Sequence, residues 1–385
     1  MWPTRLLARM HRNRFLDVTR LVAAALVMLH HLPPGAIGDS KSFAAVVRGG
    51  YCGVDLFFVL SGFLISGLLF SEYDRYGDIQ VSRFLVRRAF KLYPAFWAMV
   101  GATVIGRMMF SPPEVLDETW SRLVAELLFV QNYFPGLWSH TWSLAVEEHF
   151  YLFLPCSMAC MIAWNRRGDP FRWMPPLFAM TAAGCLVLRS RLPPSQDEAD
   201  WFLAAGTHLR VDSLMFGVLL RWGIRRFPMF ERLGVGSAIG LLLLGALLMS
   251  FAFVSESTID RLRPTWGPTV LYLGAGCIVL ASLGINIPAN GPLSLVARAG
   301  ADSYSIYLWH LFVFKMFERP LAAASLPPWL DALSLIGASV LVGVVMSRLV
   351  EQPALRLRDR YFPSRSSQTT TPGAWPGVSG RKLGI

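Results

Sequence analysis

Long apolar runs, separated by short polar segments, make up most of the chain. Because a helix needs roughly 20 apolar residues to cross a bilayer, this pattern predicts about ten membrane-spanning helices. We place them at residues 15-32, 51-70, 92-110, 142-163, 174-190, 204-221, 235-254, 267-285, 303-319 and 329-348. The weaker apolar stretch 122-134 is too short to span and is expected to lie at the interface or to re-enter. The predicted fold class is therefore all-α, a polytopic integral membrane protein.

The composition agrees with a membrane protein. Of the 385 residues, 54% are hydrophobic and 16% are charged, and the mean hydropathy is +0.44; in soluble domains about 25% of residues are charged. The net charge is +11, but the basic residues scatter over many short loops, which argues against nucleic acid as a partner. Their bias toward alternate loops predicts that both termini are cytoplasmic. Membrane lipids are expected partners, and the first apolar run is expected to stay as an anchor.

The first predicted helix carries ionisable groups within its apolar run. Arg20 and His31 are eleven residues apart, so they share one helix face and lie roughly 16 Å apart along the axis. Ionisable side chains inside a membrane are costly and tend to be functional. We expect the face with Arg20 and His31 to turn inward, toward protein or a water-filled cavity, and His30 to point elsewhere.

Carboxylates stand near the outer ends of two other predicted helices. Asp55 is expected at the depth of His31, where it would orient the imidazole; the alternative is that Asp55 reaches headgroup water. Glu147 has a second carboxylate beside it, and because adjacent helix positions point about 100° apart, at least one should face the protein interior. Nearby, Trp142 and Tyr151 would anchor the helix at the interface or stack on a sugar ring.

A basic segment precedes the third predicted helix on the cytoplasmic side. Its four cations within nine residues are Arg83, Arg87, Arg88 and Lys91. They would suit an anionic phosphate group that arrives from the cytoplasm. The alternative is the ordinary role of such residues in fixing topology and contacting anionic lipids.

Other polar positions inside the predicted helices have structural interpretations. Ser61 and Gly62 are small, which is typical of a close approach between helices. Arg210 and Asp212 are two positions apart and do not face each other along a helix, so each should pair with a neighbouring helix. His310 is interpreted first as a satisfied helix-packing residue.

The last predicted helix closes at Pro353, where a proline is typical of a helix end. Beyond it the composition shifts to Arg, Ser, Thr, Pro and Gly, which cannot build an apolar core. We expect residues 1-353 to form one membrane-embedded domain without an appended domain, and residues 354-385 to be a disordered cytoplasmic tail.

Six motifs, taken in chain order, resemble the membrane-bound acyltransferase family 3. They are Arg20 to His31 with Asp17; Gly53 to Ile65; Arg87 to Pro94; Trp142-Ser143-Leu144 with Glu147, Phe150 and Tyr151; Arg210 with Asp212; and Ser303 to His310 with Glu351 and Pro353. The resemblance runs in register from about Phe15 to Pro353.

The resemblance implies a ten-helix enzyme of the bacterial inner membrane that contains no metal. Such enzymes move an acyl group, usually acetyl, from acyl-CoA to a hydroxyl of a carbohydrate, either free or lipid-linked. Acceptors in the family include lipopolysaccharide, exopolysaccharide and peptidoglycan. The identity of the acceptor and of the acyl chain stays open for this sequence.

The family motifs also assign expected roles to the residues near His31. His31 would deprotonate the acceptor hydroxyl or carry the acyl group itself. Arg20 would stabilise the oxyanion or bind a donor phosphate, and Asp55 or Glu147 would orient the imidazole. Because acyl-CoA is cytoplasmic and His31 is expected near the outer surface, either the donor reaches inward or an acyl intermediate crosses.

The basic motif is the expected donor site. Arg87, Arg88 and Lys91 would contact the phosphates of CoA, and Lys91 stands where the family has an arginine, which keeps the charge but not the bidentate fork. The remaining candidates have a substrate-binding or structural role: Trp142, Tyr151, Arg210, Asp212 and His310.

Two other classes of membrane protein would share some of these features. A secondary transporter also buries charged side chains, but it should show repeated halves, and the sequence shows no obvious repeat. A transferase of sugars would need to bind a sugar donor rather than an acyl donor. Acyl transfer is the favoured reaction.

Overall fold

The structure is a computed structural model, and it describes residues 13-33, 36, 41-110, 112-165, 168-192, 205-227, 229, 233-254, 262-324 and 327-365. Over these residues the chain forms helices and turns and no strand. The helices are α1 (Arg14–His30), α2 (Lys41–Gly49), α3 (Cys52–Tyr76), α4 (Val81–Phe110), α5 (Pro113–Leu127), α6 (Trp142–Trp164), α7 (Met174–Arg189), α8 (Thr207–Arg226), α9 (Val235–Met249), α10 (Leu262–Ala281), α11 (Pro292–Ala301), α12 (Ser303–Ala324), α13 (Pro328–Met346) and α14 (Gln352–Tyr361). The predicted all-α class is confirmed for the described part of the chain.

The apolar segments of the sequence coincide with these helices. Each of the ten predicted spans lies on one of them, and the stretch 122-134 holds the end of α5 and the turns after it. Five described stretches are long and apolar enough to cross a membrane: Phe43–Tyr76, Val81–Phe110, Pro170–Arg189, Val235–Phe253 and Pro328–Tyr361. The chain is thus a multi-pass membrane protein by length and composition, and the number of ten spans stays a prediction.

Local contacts at its first turn fix the position of α1. The Asn13 side chain accepts a hydrogen bond from Phe15 N at 2.9 Å and caps the helix. Its amide group donates to Ser282 O at 3.0 Å. A Cβ atom at Gly300 would lie 1.8 Å from Asp17 O, so only glycine allows α11 to approach α1 this closely. These contacts hold the helix that carries Arg20 and His31.

Another close helix contact lies between α3 and α8. A Cβ atom at Gly62 would lie 1.9 Å from Leu214 O, and one at Gly217 would lie 2.3 Å from a carbonyl of α3. Glycine at both positions lets the two backbones touch. The predicted small-residue contact is confirmed at Gly62, whereas Ser61 has a different role, since its hydroxyl donates to Glu147 Oε1 at 2.7 Å.

The C-terminal segment differs from its prediction. The chain does not leave the helix at Pro353, because α13 passes through a π turn into α14. Pro353 lies in the first turn of α14, where its missing N–H is tolerated. Beyond that helix, Arg365 donates to Asp78 at 2.7 Å. The expected disorder is therefore wrong for residues 354-365, which ionic and helical contacts order, and residues 366-385 lie outside the described part.

Candidate active site

His31 lies at the C-terminal end of α1, where two acceptors hold its ring. Its Nδ1 atom lies 2.9 Å from Val27 O and 3.3 Å from Nε2 of His310. A backbone carbonyl can only accept, so Nδ1 carries the proton of the neutral ring. The lone pair is then on Nε2, which is the tautomer that a general base at this atom requires. The structure brings His31 and His310 together, a pairing that sequence reasoning did not make.

A third histidine completes an imidazole cluster of His31, His140 and His310. The ring centroids of His31 and His140 lie 5.1 Å and 4.8 Å from that of His310. His140 and His310 are both buried, and Nε2 of His140 donates to Leu308 O at 3.1 Å. Sequence reasoning missed His140, whose only signal is its place just before the apolar run of α6. Within the described ranges, no three or more His, Cys, Asp or Glu side chains are grouped to hold a metal.

The segment that carries His140 is held from both sides. Tyr307 Oη donates to His140 O at 2.8 Å. On the other side, Glu126 Oε1 accepts from Leu137 N at 2.9 Å and from Thr141 Oγ at 2.8 Å. Glu126 is itself buried. A buried carboxylate that was not apparent from the sequence thus fixes the turn next to the cluster.

The stability of the protein is expected to depend on pH through Glu126. Burial raises the pKa of Glu126 to about 7, above its ordinary value of 4.5. As the pH rises, the unfolded chain therefore releases the Glu126 carboxyl proton before the folded protein does. The contribution of Glu126 to the free energy of unfolding is full below the unfolded pKa and falls by up to about 3 kcal/mol as the pH rises through the folded pKa. Glu126→Gln removes this fall, because the amide keeps an acceptor oxygen without a charge.

Thermal unfolding of the purified protein between pH 5 and pH 8 measures this effect. The midpoint of the parent protein should fall across the range, and that of Glu126→Gln should fall less. Identical pH dependence of the two proteins would contradict the role given to Glu126.

Asp55 forms an ion pair rather than orienting His31. Its Oδ1 atom accepts from Arg210 Nη2 at 2.9 Å and from Ser213 Oγ at 3.2 Å. Both members of the pair are buried, and a buried carboxylate requires such a partner. This confirms that Arg210 pairs across helices. It corrects both sequence interpretations of Asp55, since neither His31 nor headgroup water is its partner; Trp142 packs beside the pair, 5.5 Å from the guanidinium carbon.

A second buried ion pair joins α7 to α8. Arg189 Nη1 and Nη2 donate to the two carboxylate oxygens of Asp212 at 3.2 Å and 2.8 Å, and the side chains are 2% and 0% exposed. Arg189 also donates to Leu209 O and to Thr269 Oγ. The predicted pairing of Asp212 with a neighbouring helix is confirmed. Sequence reasoning missed Arg189, because an arginine at the end of an apolar run usually faces the surface.

Glu147 faces the protein interior. Its Oε1 atom accepts from Ser61 Oγ at 2.7 Å and its Oε2 atom from Tyr151 Oη at 2.9 Å. This confirms that at least one of the adjacent carboxylates turns inward. Among the hydrogen bonds of the described residues, none joins Glu147 to His31, so the orienting role is corrected. Tyr151 is a buried residue rather than an interfacial anchor, and the Arg88 guanidinium carbon lies 4.3 Å from its ring centroid.

Arg20 lies in the same interior region. Its Nη1 atom is 3.0 Å from Asp17 Oδ1, and its side chain keeps 34% of its surface exposed. Arg20 is close enough to interact electrostatically with Glu147 and with Lys91. Arg20 is thus a partly exposed cation in the region that holds Glu147 and Lys91.

The predicted phosphate-binding cations are not equivalent. All three lie on α4, which begins at Val81 and so includes the basic segment that was expected to precede the helix. Lys91 forms a salt bridge with Glu351, and Arg87 Nη2 lies 3.2 Å from Asp359 Oδ1. Among the described residues, Arg88 forms no salt bridge, and its Nε atom is buried without a hydrogen-bond partner. Arg88 is therefore the cation of this set that is available to an anionic ligand.

A cavity of about 220 Å³ opens beside Arg88. Its polar lining includes Tyr93, whose hydroxyl donates to Glu148 Oε2 at 3.0 Å, and Tyr151. The other oxygen of Glu148 is buried and has no hydrogen-bond partner within the described chain. The exposed side chain of Leu152 forms part of the wall. The cavity thus offers a cation and an acceptor to a ligand that carries an anion and a donor group.

Comparison with known proteins defines the family. The family described as the acyltransferase domain matches residues 13–348, which is most of the chain. The chain belongs to this family, and the resemblance drawn from its motifs is confirmed. No solved structure matches the chain.

Its curated relatives include bacterial O-acetyltransferases. The peptidoglycan O-acetyltransferase OatA of Listeria monocytogenes serovar 1/2a is 26% identical over 371 residues, covering 88% of this chain and 55% of that protein. The O-acetyltransferase OatA of Staphylococcus aureus strain MRSA252 is 26% identical over 396 residues, covering 94% of this chain and 61% of that protein. The chain therefore spans little more than half the length of these relatives.

Proposed function

We propose that this chain is an integral membrane O-acetyltransferase that moves an acetyl group from acetyl-CoA to a hydroxyl of a cell-surface carbohydrate. The family match and the names of the relatives support the reaction class. Peptidoglycan, named for the Listeria relative, is the first acceptor to test, ahead of lipopolysaccharide and exopolysaccharide. The observation that carries the proposal is the imidazole of His31, which is held with its lone pair on Nε2 inside a membrane bundle.

The chemistry assigned to His31 is general base catalysis. Nε2 takes the proton of the acceptor hydroxyl while the hydroxyl oxygen bonds to the thioester carbonyl carbon. The tetrahedral oxyanion then collapses, the C–S bond breaks, and the proton passes from His31 to the leaving thiolate. Arg20 is the cation proposed to stabilise negative charge on the donor. The products are an acetyl ester of the carbohydrate and free CoA.

The donor is proposed to enter beside Arg88. Arg88 supplies a guanidinium for a CoA phosphate, and the cavity next to it offers Glu148 and Tyr93 to the amide groups of the pantetheine arm. Arg20 stands farther along the same interior region. Arg20 and His31 are separated by roughly 16 Å along the axis of α1, which is comparable with the length of a pantetheine arm.

Arg88→Gln is expected to raise the KM for acetyl-CoA by about tenfold or more, because a charge-assisted hydrogen bond contributes about 1.5–3 kcal/mol. Arg87→Gln is expected to raise it less, since Arg87 is already engaged by Asp359. Arg75→Gln, an exposed cation on the preceding helix, is the control for general loss of positive charge. Initial rates against acetyl-CoA concentration measure all three, and an unchanged KM in Arg88→Gln would overturn this donor site.

The arrangement in the membrane completes the proposal. Ten helices cross the bacterial inner membrane, with both termini in the cytoplasm. The ten apolar helices at the predicted positions and the basic first turns of α4 support this topology. It puts the basic segment on the side where acyl-CoA is made.

The proposal is tested by acetyl transfer in isolated membranes. Membranes with and without the chain are incubated with radiolabelled acetyl-CoA and peptidoglycan or another surface carbohydrate, and label is counted in the carbohydrate. Label that depends on the chain supports the proposal. If the chain instead drives uptake of a labelled solute without ester formation, the transporter interpretation replaces it.

A further inference from the structure

His310 is buried on α12 with both ring nitrogens facing defined groups. Its Nδ1 atom forms a hydrogen bond with Tyr307 O, and because a carbonyl only accepts, Nδ1 is the donor. The neutral ring then has its lone pair on Nε2. That atom lies 3.3 Å from Nδ1 of His31. The Nε2 lone pair of His310 therefore accepts from the Nδ1 proton of His31, and the position of that proton defines the tautomer of His31.

The acceptors around His31 are neutral. Val27 O and His310 Nε2 share the Nδ1 proton of His31, and among the described residues no carboxylate forms a hydrogen bond with this ring. Asp55 and Glu147, the carboxylates expected there, are engaged by Arg210 and by Ser61. The base of this site is thus oriented by a second imidazole rather than by an acid.

The geometry points to His310 as the positioning residue for His31, an inference that rests on the proposed function. Its Nε2 lone pair accepts the Nδ1–H of His31, so the ring keeps Nε2 aimed at the acceptor hydroxyl. When Nε2 takes the proton, the imidazolium of His31 still donates Nδ1–H to His310. The proton of His310 stays on Nδ1, facing Tyr307 O, and no proton leaves the pair.

His140 packs against His310 and stabilises this arrangement. Its Nε2–H donates to Leu308 O, so its Nδ1 atom carries a lone pair. Within the described structure, that atom is buried without a hydrogen-bond partner. The two rings of His140 and His310 meet edge to face with centroids 4.8 Å apart. Each of the two rings therefore has a lone pair rather than a proton on its second nitrogen, which suits a site where one positive charge appears during turnover.

Two amide variants separate positioning from packing. His310→Gln places an acceptor oxygen near the site of Nε2, whereas His310→Asn keeps a donor for Tyr307 O and offers no acceptor to His31. We expect kcat of His310→Asn to fall by about tenfold to a hundredfold, as misplacement of a reacting group does, and kcat of His310→Gln to stay well above it. The KM for acetyl-CoA should change less than twofold in both.

The adjacent histidine is the control for this comparison. His30 also contacts the His31 ring, with centroids 5.2 Å apart, but its Nδ1 atom forms a hydrogen bond with Val47 O. His30→Gln should keep kcat within twofold of the parent. Equal losses in the two His310 variants, or no loss in either, would overturn the inference.

A second measurement does not require activity. Nitrogen-15 chemical shifts of histidine-labelled protein in lipid report which ring nitrogen of His31 carries the proton, with the His31 resonance assigned by its loss in His31→Asn. The parent protein should show the Nδ1–H form, and His310→Asn should show a mixture of tautomers. The Nε2–H form in the parent would overturn the inference. An inactive parent with the expected tautomers would instead reject the proposed function alone.

Discussion

Replacing His31 with Asn is expected to lower kcat for acetyl transfer by about 10²–10⁴-fold, the range that general acid–base catalysis supplies. The amide is close in size to an imidazole but cannot take a proton from a hydroxyl. Its side chain can still donate toward Val27 O and His310 Nε2, the two acceptors that hold Nδ1 of His31. The change should therefore act on the chemical step and leave the KM for acetyl-CoA nearly unchanged.

Steady-state rates at matched amounts of folded protein measure this effect. His30→Asn is the matched control, because it makes the same change one position away on the same helix. Comparable losses in the two variants would mean that any change at the end of α1 disturbs the site, and that His31 has no special role in the reaction.

Asp212→Asn is expected to destabilise the protein by about 3–5 kcal/mol, because it leaves a buried charge without its partner. Arg189 is 2% exposed and donates two hydrogen bonds to Asp212. Asparagine keeps one acceptor oxygen but replaces the other with an NH2 donor that faces the guanidinium, so Arg189 loses its counter-charge and keeps Leu209 O and Thr269 Oγ as its other acceptors. The pair joins α7 to α8, so loss of folded protein should follow.

The double variant Arg189→Met with Asp212→Leu separates the cost of an unpaired charge from the value of the pair. Apolar side chains of similar volume commonly replace a buried ion pair at little cost, so the double variant should be more stable than Asp212→Asn. Thermal unfolding in detergent, followed by the amount of monodisperse protein, compares them. If Asp212→Asn is as stable as the parent, the ion pair of Arg189 and Asp212 contributes nothing to the stability of the protein.

Apolar periodicity and the cost of buried charge predicted the helices and several inward-facing residues. The ten apolar segments lie on helices, and both Arg210 and Asp212 pair with neighbouring helices. These inferences succeed because hydrophobic length and buried charge impose strong constraints on any membrane helix. These constraints act on each segment separately, so a helix and its inward-facing residues can be predicted without knowing which helices pack beside it.

The partners of the buried groups could not be predicted in the same way. Depth along a helix put Asp55 near His31, but the packing of α3 against α8 gives Asp55 to Arg210. His140 and His310 meet although they are far apart in the chain. Which helix lies beside which is decided by the whole bundle, and a single sequence carries no local signal for it.

The basic segment shows the same limit. Composition predicted one role for four cations, but Arg87 pairs with Asp359 of α14 and Lys91 pairs with Glu351 of the π turn before α14. The sequence beyond Pro353 was expected to be disordered, so Asp359 was not considered as a partner. Arg88 is distinguished from its neighbours only by the structure.

The most direct test of this account is acetyl transfer by the purified protein in lipid nanodiscs. Radiolabelled acetyl-CoA and peptidoglycan fragments are added to parent protein and to His31→Asn, and the carbohydrate is then treated with mild alkali to release ester-bound acetate. The account predicts labelled acetate from the parent reaction and almost none from His31→Asn. Equal label from both proteins would contradict the central claim that His31 performs the chemistry.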